Sequence, residues 1–183
     1  MSDPVCETPR LVIRLATRKD ATLVHSLWTD PRVMANVGFP NGLPVTVEQL
    51  RENIARRGKS AFQQLLIVEL KGSGQPVGQC LMSLPDENGI STTDIKLLPE
   101  FWGNHYGVEV KRALVSYLFE HTFCVAVEAT PNVGNTASIK MQEAVGGVRV
   151  SEGIFRFPES MRAFTQPVHH YVYRVYRKDW RGM

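Results

Sequence analysis

Two glycine-marked segments, about thirty residues apart, carry the residue types from which a reactive site could be built. The first runs from Asp94 to Glu109 and has the pattern of a strand, a turn containing Gly103 and Gly107, and the first turn of a helix. A helix start leaves backbone N–H groups without partners and carries a partial positive charge, so it can bind an anion such as a pyrophosphate. Glycines in the turn allow a ligand to approach the backbone closely.

The second segment begins at Asn132, includes Asn135 and Ser138, and leads into a short helical pattern that ends at Gly146 and Gly147. Either segment would be weak evidence by itself, because glycine turns before helices are common. The two together predict one site. Asn135 could be a helix cap, with or without a second role at the site. Ser138 could be an ordinary first-turn serine or a hydroxyl that takes part in chemistry.

Hydrophobic periodicity predicts the elements that position these segments. Alternating or β-rich runs predict strands at residues 11–15, 65–70, 76–84, 90–98, 123–127, 148–155 and 171–176. Capping signals and helical spacing predict helices at residues 17–28, 46–58, 106–119 and 135–145. A helix crosses between the fourth and fifth strands, so these two should be parallel. The long connection from Asp30 to Pro44 is a candidate binding loop.

Composition restricts the class of protein. With 43% hydrophobic and 21% charged residues, the chain fits one globular domain over residues 1–183. Cations are dispersed among 18 acidic residues, which does not favour nucleic acid as a partner. We expect neither export nor a membrane span, because no leader or long apolar run is present.

Cysteine and histidine usage gives no sign of a metal site. The three cysteines, Cys6, Cys80 and Cys124, are widely spaced, so neither a disulfide framework nor a thiolate metal site is indicated. This favours a reducing, cytoplasmic setting. Neighbouring residues His169 and His170 would face opposite ways on a strand and lack a third ligand.

The chain resembles the Gcn5-related N-acetyltransferases (GNAT), and within them the ribosomal-protein N-terminal acetyltransferase-like branch. The similarity covers nearly the whole chain and rests on Glu7 to Arg14, Trp102 to Glu109, Asn135 to Ser138 and Tyr173 to Trp180. It implies an α+β (α/β) fold with a mixed, mostly antiparallel central sheet of about six or seven strands and about four flanking helices. The parallel fourth and fifth strands would splay apart at the cofactor site.

The resemblance implies acetyl-CoA as co-substrate, without a metal. In the family the strand backbone holds the pantetheine arm and the turn amides hold the pyrophosphate. Carried over, the cofactor-binding residues are Leu97, Leu98, Trp102, Gly103, Asn104, His105, Tyr106, Gly107, Val108, Asn135 and Ser138.

One position departs from the family motif, which has Gln or Arg, two residues, Gly, one residue, then Gly or Ala. Here Trp102, His105 and Gly107 stand at the three defining positions, so His105 replaces the central glycine. A side chain at this point either crowds the phosphates, if the backbone needs a positive φ, or supplies them with an extra donor.

Acetyl transfer from a thioester to an amine needs a neutral amine, a polarised carbonyl and a proton for the departing thiolate. Ser138 is the candidate proton donor, because the family's usual tyrosine position falls among Met141 and Gln142. Asp94 and Glu128 are the candidate bases, since each lies on a strand flanking the place where the parallel pair would part. For either carboxylate, a solvated position at a strand end is the alternative.

The acceptor is expected to be a primary amine, either of a protein or peptide N-terminus or of a small molecule. Aromatic side chains that could rim its pocket, or instead pack in the core, are Trp28, Phe39, Phe155, Phe157 and Tyr171. The sequence favours an N-acetyltransferase that uses direct transfer in a ternary complex. The competing interpretation is a catalytically degenerate acyl-CoA-binding or interaction module on the same fold. Family likeness would also be consistent with a homodimer.

Overall fold

Within residues 4–56, 58 and 60–182, which the computed structural model describes, eight strands form one mixed sheet. Their order across the sheet is β1-β2-β3-β4-β5-β6-β8-β7. In chain order the strands are β1 (Pro4–Glu7), β2 (Leu11–Leu15), β3 (Leu66–Leu70), β4 (Pro76–Met82), β5 (Ile90–Leu97), β6 (Ala126–Ala129), β7 (Val148–Phe155) and β8 (Val168–Tyr176).

The helices flank this sheet on both faces. They are α1 (Ala21–Thr29), α2 (Pro31–Met34), α3 (Val47–Ala55), α4 (Tyr106–His121) and α5 (Thr136–Ala144). A capping box starts α3, because the Thr46 hydroxyl accepts from Gln49 N and the Gln49 side chain accepts from Thr46 N. The α+β class and the mixed, mostly antiparallel sheet expected from the sequence are confirmed, with eight strands and five α-helices in the described residues instead of about six or seven and about four.

Several predicted boundaries were wrong. Neither β1 nor the short α2 was predicted, and the last strand begins at Val168 rather than at residue 171. The helix predicted to reach Gly58 ends at Ala55, and Arg57 and Lys59 lie outside the described residues. Sequence patterns locate terminal turns less well than element interiors, because ends depend on contacts made elsewhere in the chain.

The strand predicted at residues 123–127 begins three residues later, at Ala126. The Arg177 guanidinium holds the preceding segment as a connection by donating to the carbonyl oxygens of Phe119, Thr122 and Cys124 at 2.6–2.8 Å. Phe123, placed in the strand by its apolar character, is 99% exposed. Contacts with Arg177, which is remote in sequence, therefore determine where β6 begins, and the local apolar pattern does not.

Two apolar layers cover the sheet. On the face that we call the α4 face, Leu114 and Leu118 pack with Val127 and Val175. On the opposite face, called the α1 face, Leu50 of α3 and residues of α1 pack with Ile67. Each fully buried leucine contributes about 1.5–3 kcal/mol relative to an exposed one. Among the helices in the described part of the chain, none is long and apolar enough to cross a bilayer.

Candidate active site

The sheet is parallel only between β5 and β6, and this pairing is short. It covers Ile90 with Ala126, Ser91 with Val127 and Thr92 with Glu128. Beyond Thr92, β5 continues to Leu97 while remaining paired with β4 on its other side. The expected parallel, splayed pair is therefore confirmed, and it leaves a gap in the sheet next to residues 93–97.

Backbone hydrogen bonds show which groups face this gap. Ser83 N donates to Thr92 O, and Leu98 N donates to Val77 O. The backbone N–H and C=O groups of even-numbered residues in this part of β5 therefore point towards β4. The odd-numbered residues Thr93, Ile95 and Leu97 consequently direct their N–H and C=O groups into the gap. An unpaired strand edge of this kind accepts an extended, amide-bearing chain as an additional strand.

Of the two leucines predicted to contact a pantetheine arm, only Leu97 offers backbone groups to the gap. Leu98 has both groups engaged, because its N–H donates to Val77 and its carbonyl accepts from Phe101 N at 3.0 Å. The Trp102 indole Nε1 donates to Leu97 O at 2.8 Å. A carbonyl oxygen has two lone pairs, so this bond leaves one acceptor direction open.

The turn after β5 contains two residues with positive φ, Gly103 and His105. Gly103 has φ 79°, and a Cβ built there would meet nothing within 4 Å. His105 has φ 61° and caps α4 from the left-handed region. The side chain of Asn104 ties the turn together by donating to the carbonyls of Phe101 and Trp102 at 3.2 Å.

Histidine at position 105 thus adopts the backbone conformation that glycine would take without strain, which for an ordinary residue costs about 1–2 kcal/mol. Its exposed side chain lines a groove together with Arg10, Lys71 and Arg112. Directly after it, the first N–H groups of α4, from Tyr106 to Val108, have no intrahelical partner.

Glu109 fixes the start of α4 to the β1–β2 connection. Its Oε1 accepts from the Thr8 hydroxyl at 2.5 Å and from Arg10 N at 3.0 Å, and its Oε2 accepts from Arg10 Nε at 2.7 Å. The Arg10 guanidinium also donates to Asn104 O at 3.1 Å and lies over the Tyr106 ring. Burial by itself would raise the pKa of Glu109, but the hydrogen bonds from Thr8 and Arg10 outweigh burial and lower that pKa.

Gly107 lies where α4 and α5 pack against each other. Its φ is not in the left-handed region, and a Cβ would approach Met141 Sδ at 3.1 Å, so this glycine allows α5 to pack against α4. Met141, at the position where the family's tyrosine was expected, is therefore a helix-packing residue, and Gln142 beside it is buried.

Asn135 caps α5, because its Oδ1 accepts from Ser138 N at 3.1 Å. The capping interpretation of Asn135 is confirmed, and it leaves Ser138 half-buried in the first turn of α5.

Both predicted bases lie on the α1 face. Thr92 pairs with Glu128, and Asp94 is two residues further along β5, so the two carboxylates belong to the same face on the two strands that part. Glu128 Oε2 accepts from Arg174 Nε at 2.9 Å, and Asp94 is ion-paired with Lys96.

A surface cavity of about 490 Å³ opens beside Glu128 on this face. Its lining residues are Asp86, Asn88, Ile90, Thr92, Val125, Glu128, Arg174 and Tyr176. Two carboxylates and one guanidinium give this lining an acidic balance, which suits a cationic molecule.

Three of the five predicted rim aromatics come together. Phe157 packs edge-on against Phe39, with ring centroids 5.2 Å apart, and against Phe155 at 4.9 Å. Phe164, which sequence analysis did not select, stacks on Phe39. The backbone joins the same two loops, because Gln166 N donates to Gly38 O at 2.9 Å.

The other two rim candidates lie elsewhere. The Trp28 indole donates to Gln79 Oε1 at 3.0 Å on β4, and the ring of Tyr171 carries the Arg149 guanidinium 3.6 Å from its centroid.

Several residues in and around the candidate site were not predicted. Thr8 and Arg10 belong to the resembling first segment, but nothing local indicated that they bind Glu109, which is about a hundred residues away. Lys111, whose Nζ donates to Thr93 Oγ1 at 2.6 Å, is fully buried. Its signal was visible, since it shares a helical face with apolar residues at 114, 115 and 118.

Comparison with protein families settles the membership of the chain. The family model of the acetyltransferase (GNAT) domain matches residues 10–148. The chain belongs to the GNAT acetyltransferase family. As a GNAT protein it is an N-acetyltransferase, an enzyme that transfers an acetyl group to an amine.

Two curated relatives resemble this GNAT chain over nearly its whole length. The uncharacterized protein YkkB of Bacillus subtilis is 27% identical over 172 residues, which is 92% of this chain and 95% of YkkB. The uncharacterized N-acetyltransferase p20 of Bacillus licheniformis is 24% identical over 180 residues, 96% of this chain and 97% of p20.

Solved structures share the fold of this GNAT chain at lower identity. A GNAT acetyltransferase from Bacillus anthracis matches with TM-score 0.76 and 23% identity, covering 94% of this chain and 98% of that one. A spermidine N-acetyltransferase from Vibrio cholerae, in complex with CoA and spermine, matches with TM-score 0.75 and 16% identity over 93% and 98%. A ribosomal-protein-S5-alanine acetyltransferase from Vibrio fischeri gives 0.75 and 16% over 96% and 98%.

Proposed function

We propose that this GNAT enzyme moves an acetyl group from acetyl-CoA to a primary amine by direct transfer in a ternary complex. The observation that carries the proposal is the combination of the open β5 edge at Thr93, Ile95 and Leu97 with the exposed turn and free N–H groups at the start of α4. The first feature suits the amides of a pantetheine arm, and the second suits a pyrophosphate. Both belong to one continuous path along the chain.

In this proposal the turn from Trp102 to Val108 binds the phosphates, Leu97 binds the arm, and Asn135 and Ser138 border the sulfur. Bound acetyl-CoA supplies a thioester whose carbonyl carbon the acceptor nitrogen attacks. An N–H group of β5 in the gap stabilises negative charge as it develops on the carbonyl oxygen. The C–N bond forms as the C–S bond breaks, and Ser138 gives a proton to the departing sulfur while a solvent water returns one to the Ser138 hydroxyl. The proton lost by the amine thus balances the proton gained by the thiol.

The acceptor enters from the α1 face in this scheme. Glu128, or Asp94, takes the proton that the amine releases, directly or through one water. The acidic lining of the cavity beside Glu128 favours amines that are cationic in solution. An acceptor of the polyamine or N-terminal class meets this condition, and the solved neighbour with spermine acts on such an amine. We place the enzyme in the cytoplasm, because its three cysteines are free thiols.

The experiment that tests the proposal is calorimetric titration with acetyl-CoA, followed by turnover assays over a panel of peptide N-termini, spermidine and aminoglycosides. We expect acetyl-CoA to bind and at least one amine to be acetylated. Glu128→Gln should lower kcat and change its pH profile while leaving the Kd of acetyl-CoA unchanged. Absence of acetyl-CoA binding at millimolar concentration would overturn the proposal.

A second candidate function is an acyl-CoA-binding module that no longer turns over. Two observations favour it: the left-handed backbone at His105, where the motif has glycine, and Met141 packed against Gly107 where a tyrosine was expected. Such a module would bind acetyl-CoA in the titration but would release no CoA with any amine of the panel.

A further inference from the structure

Lys111 is a lysine inside the apolar layer of the α4 face. Its side chain is fully buried, it lies on α4 beside the core residues Val110 and Leu114, and its Nζ bonds Thr93 Oγ1 at 2.6 Å. Burying an amine is costly unless its donors are compensated. A lysine ammonium has three donors, and the bond to Thr93 uses one. The position therefore carries a cost that an apolar residue would avoid.

The lysine lies at the closed end of the gap. Thr93 is the first residue of β5 beyond the last pair with β6, that of Thr92 with Glu128. Ser91, two residues earlier on the same face of β5, has a buried hydroxyl without a hydrogen-bond partner among the residues described. Lys111, Thr93 and Ser91 thus form a polar cluster within an otherwise apolar layer.

The acyl end of the donor would arrive at this cluster. The turn proposed to bind the phosphates follows Leu98, so the donor enters the gap at its open end. From Leu97 to Thr93, β5 spans about 13 Å at ~3.3 Å per residue. An extended arm that follows the free backbone groups of β5 consequently points its reactive end towards Thr93.

We propose that Lys111 is a positioning residue for the acyl end of the donor, and that it acts through Thr93 at the closed end of the gap. The inference rests on the proposed use of acetyl-CoA. The neutral amine of Lys111 accepts a hydrogen bond from the Thr93 hydroxyl, whereas the ammonium donates one to it. The orientation of the Thr93 hydroxyl, and of the backbone next to it, relative to the acyl group therefore differs between the two protonation states of Lys111.

The surroundings allow this change of state near neutral pH. Burial lowers the pKa of Lys111 from 10.5 to about 7. The carboxylates on neighbouring elements have partners of their own. The pairs are Asp94 with Lys96 and Glu128 with Arg174 on the α1 face, Glu143 with Tyr173, and Glu109 with Arg10. Cys80 on β4 is a free thiol. Burial also raises the pKa of Cys80.

Nuclear magnetic resonance of the full chain with ¹³C-labelled lysine tests the proposal without an acceptor. The Lys111 signal, assigned by its loss in Lys111→Met or Lys111→Arg, should titrate about three pH units below the model value of a lysine. Acetyl-CoA should move this signal, and CoA, which lacks the acyl group, should not. Equal responses to acetyl-CoA and CoA, or a Lys111 midpoint close to that of the other lysines, would overturn the inference.

Calorimetry provides a second readout that a merely structural role would not change. The ratio of the Kd values for CoA and acetyl-CoA should vary with pH across neutrality in the wild type and in the exposed control Lys19→Met. It should be constant in Lys111→Met and in Thr93→Val, and the double variant should show no additional effect. A ratio that still varies with pH in Lys111→Met would contradict the proposal. Failure of the wild type to bind either compound would instead overturn the acetyl-CoA function itself.

Discussion

The two faces of the gap between β5 and β6 are constructed differently. On the α4 face, backbone groups of β5 and the start of α4 form the surface, and the Glu109 bonds to Thr8 and Arg10 hold it in place. On the α1 face, the surroundings come from side chains: the ion-paired carboxylates Asp94 and Glu128 and the residues that line the cavity beside Glu128. Backbone recognition tolerates changes in sequence, whereas side-chain recognition changes with every substitution. For this reason acetyl-CoA can be proposed as the donor from the fold, whereas the acceptor amine can be proposed only as a chemical class.

Glu109→Ala, on the α4 face, is expected to have the largest effect on stability and on acetyl-CoA binding. The substitution leaves Arg10 and Thr8 without their acceptor and should lower the free energy of unfolding by about 2–4 kcal/mol. It should also weaken acetyl-CoA binding at least about tenfold, because the start of α4 loses its anchor. Denaturant unfolding and calorimetry measure the two effects.

The matched control for Glu109→Ala is Glu52→Ala, since Glu52 pairs with Arg56 at 3.5 Å on the exposed surface of α3. It should change stability by less than about 0.5 kcal/mol. If both variants bind acetyl-CoA as the wild type does, the anchoring role of Glu109 is wrong.

Gly38→Ala should perturb the aromatic cluster of Phe39 and Phe157 and leave the edge of β5 unchanged. Gly38 has φ 95°, and a Cβ there would lie 2.4 Å from the Phe157 ring, so the aromatic cluster must move. We expect a loss of about 1–3 kcal/mol of stability and a higher KM for the acceptor, with the Kd of acetyl-CoA unchanged. Gly72→Ala is the control, because nothing lies within 4 Å of its added Cβ. A higher Kd of acetyl-CoA in Gly38→Ala would show that the aromatic cluster and the acetyl-CoA site are coupled.

The pH dependence of stability reports on the α4 face. Because burial lowers the pKa of Lys111 from 10.5 to about 7, the unfolded chain binds more protons between these values, and stability should rise with pH there. Burial raises the pKa of the Cys6 thiol from 9.0 to about 12, so that group lowers stability above about pH 9.

Between about pH 7 and pH 9 the contribution of Lys111 should therefore be a rise of roughly 1–3 kcal/mol in the free energy of unfolding. Urea unfolding at several pH values measures it. Lys111→Met should remove most of the rise. A wild-type stability that falls over this interval would contradict the assigned protonation.

His105→Gly should have the smallest effect. Glycine adopts φ 61° without the strain that histidine bears, but it also loses more chain entropy on folding, so a gain of at most about 1 kcal/mol is expected. Acetyl-CoA affinity should change by less than about threefold, because the turn is proposed to bind the phosphates through backbone N–H groups at the start of α4, which the substitution keeps. A large loss of affinity would show instead that the histidine contacts the phosphates. Gln63→Gly, at φ 58°, is the control for the backbone effect.

The order of elements could be predicted because each depends on a local pattern. The turn at Gly103, the cap at Asn135 and the helical face of α4 are set by residues within a few positions of one another. The parallel pairing of β5 with β6 also followed, since a helix between neighbouring strands requires it.

Contacts between distant segments could not be predicted in this way. The strand start at Ala126 depends on Arg177, and the role of Gly107 depends on Met141. Of the five aromatics selected for the acceptor rim, Phe39, Phe155 and Phe157 assemble, while Trp28 bonds Gln79 and Tyr171 stacks under Arg149. Hydrophobic character marks a residue for burial without specifying its partner.

The sequence by itself determined the family, the parallel pair and the segment that could hold a pyrophosphate, because these follow from the spacing of glycines and apolar residues along the chain. Only the tertiary structure decided that Glu109 is anchored by Thr8 and Arg10, that Leu97 rather than Leu98 faces the gap, and that Lys111 lies buried beside Thr93. Thr8 and Glu109 are 101 residues apart, and such contacts arise when packing brings remote segments together, which no local spacing encodes.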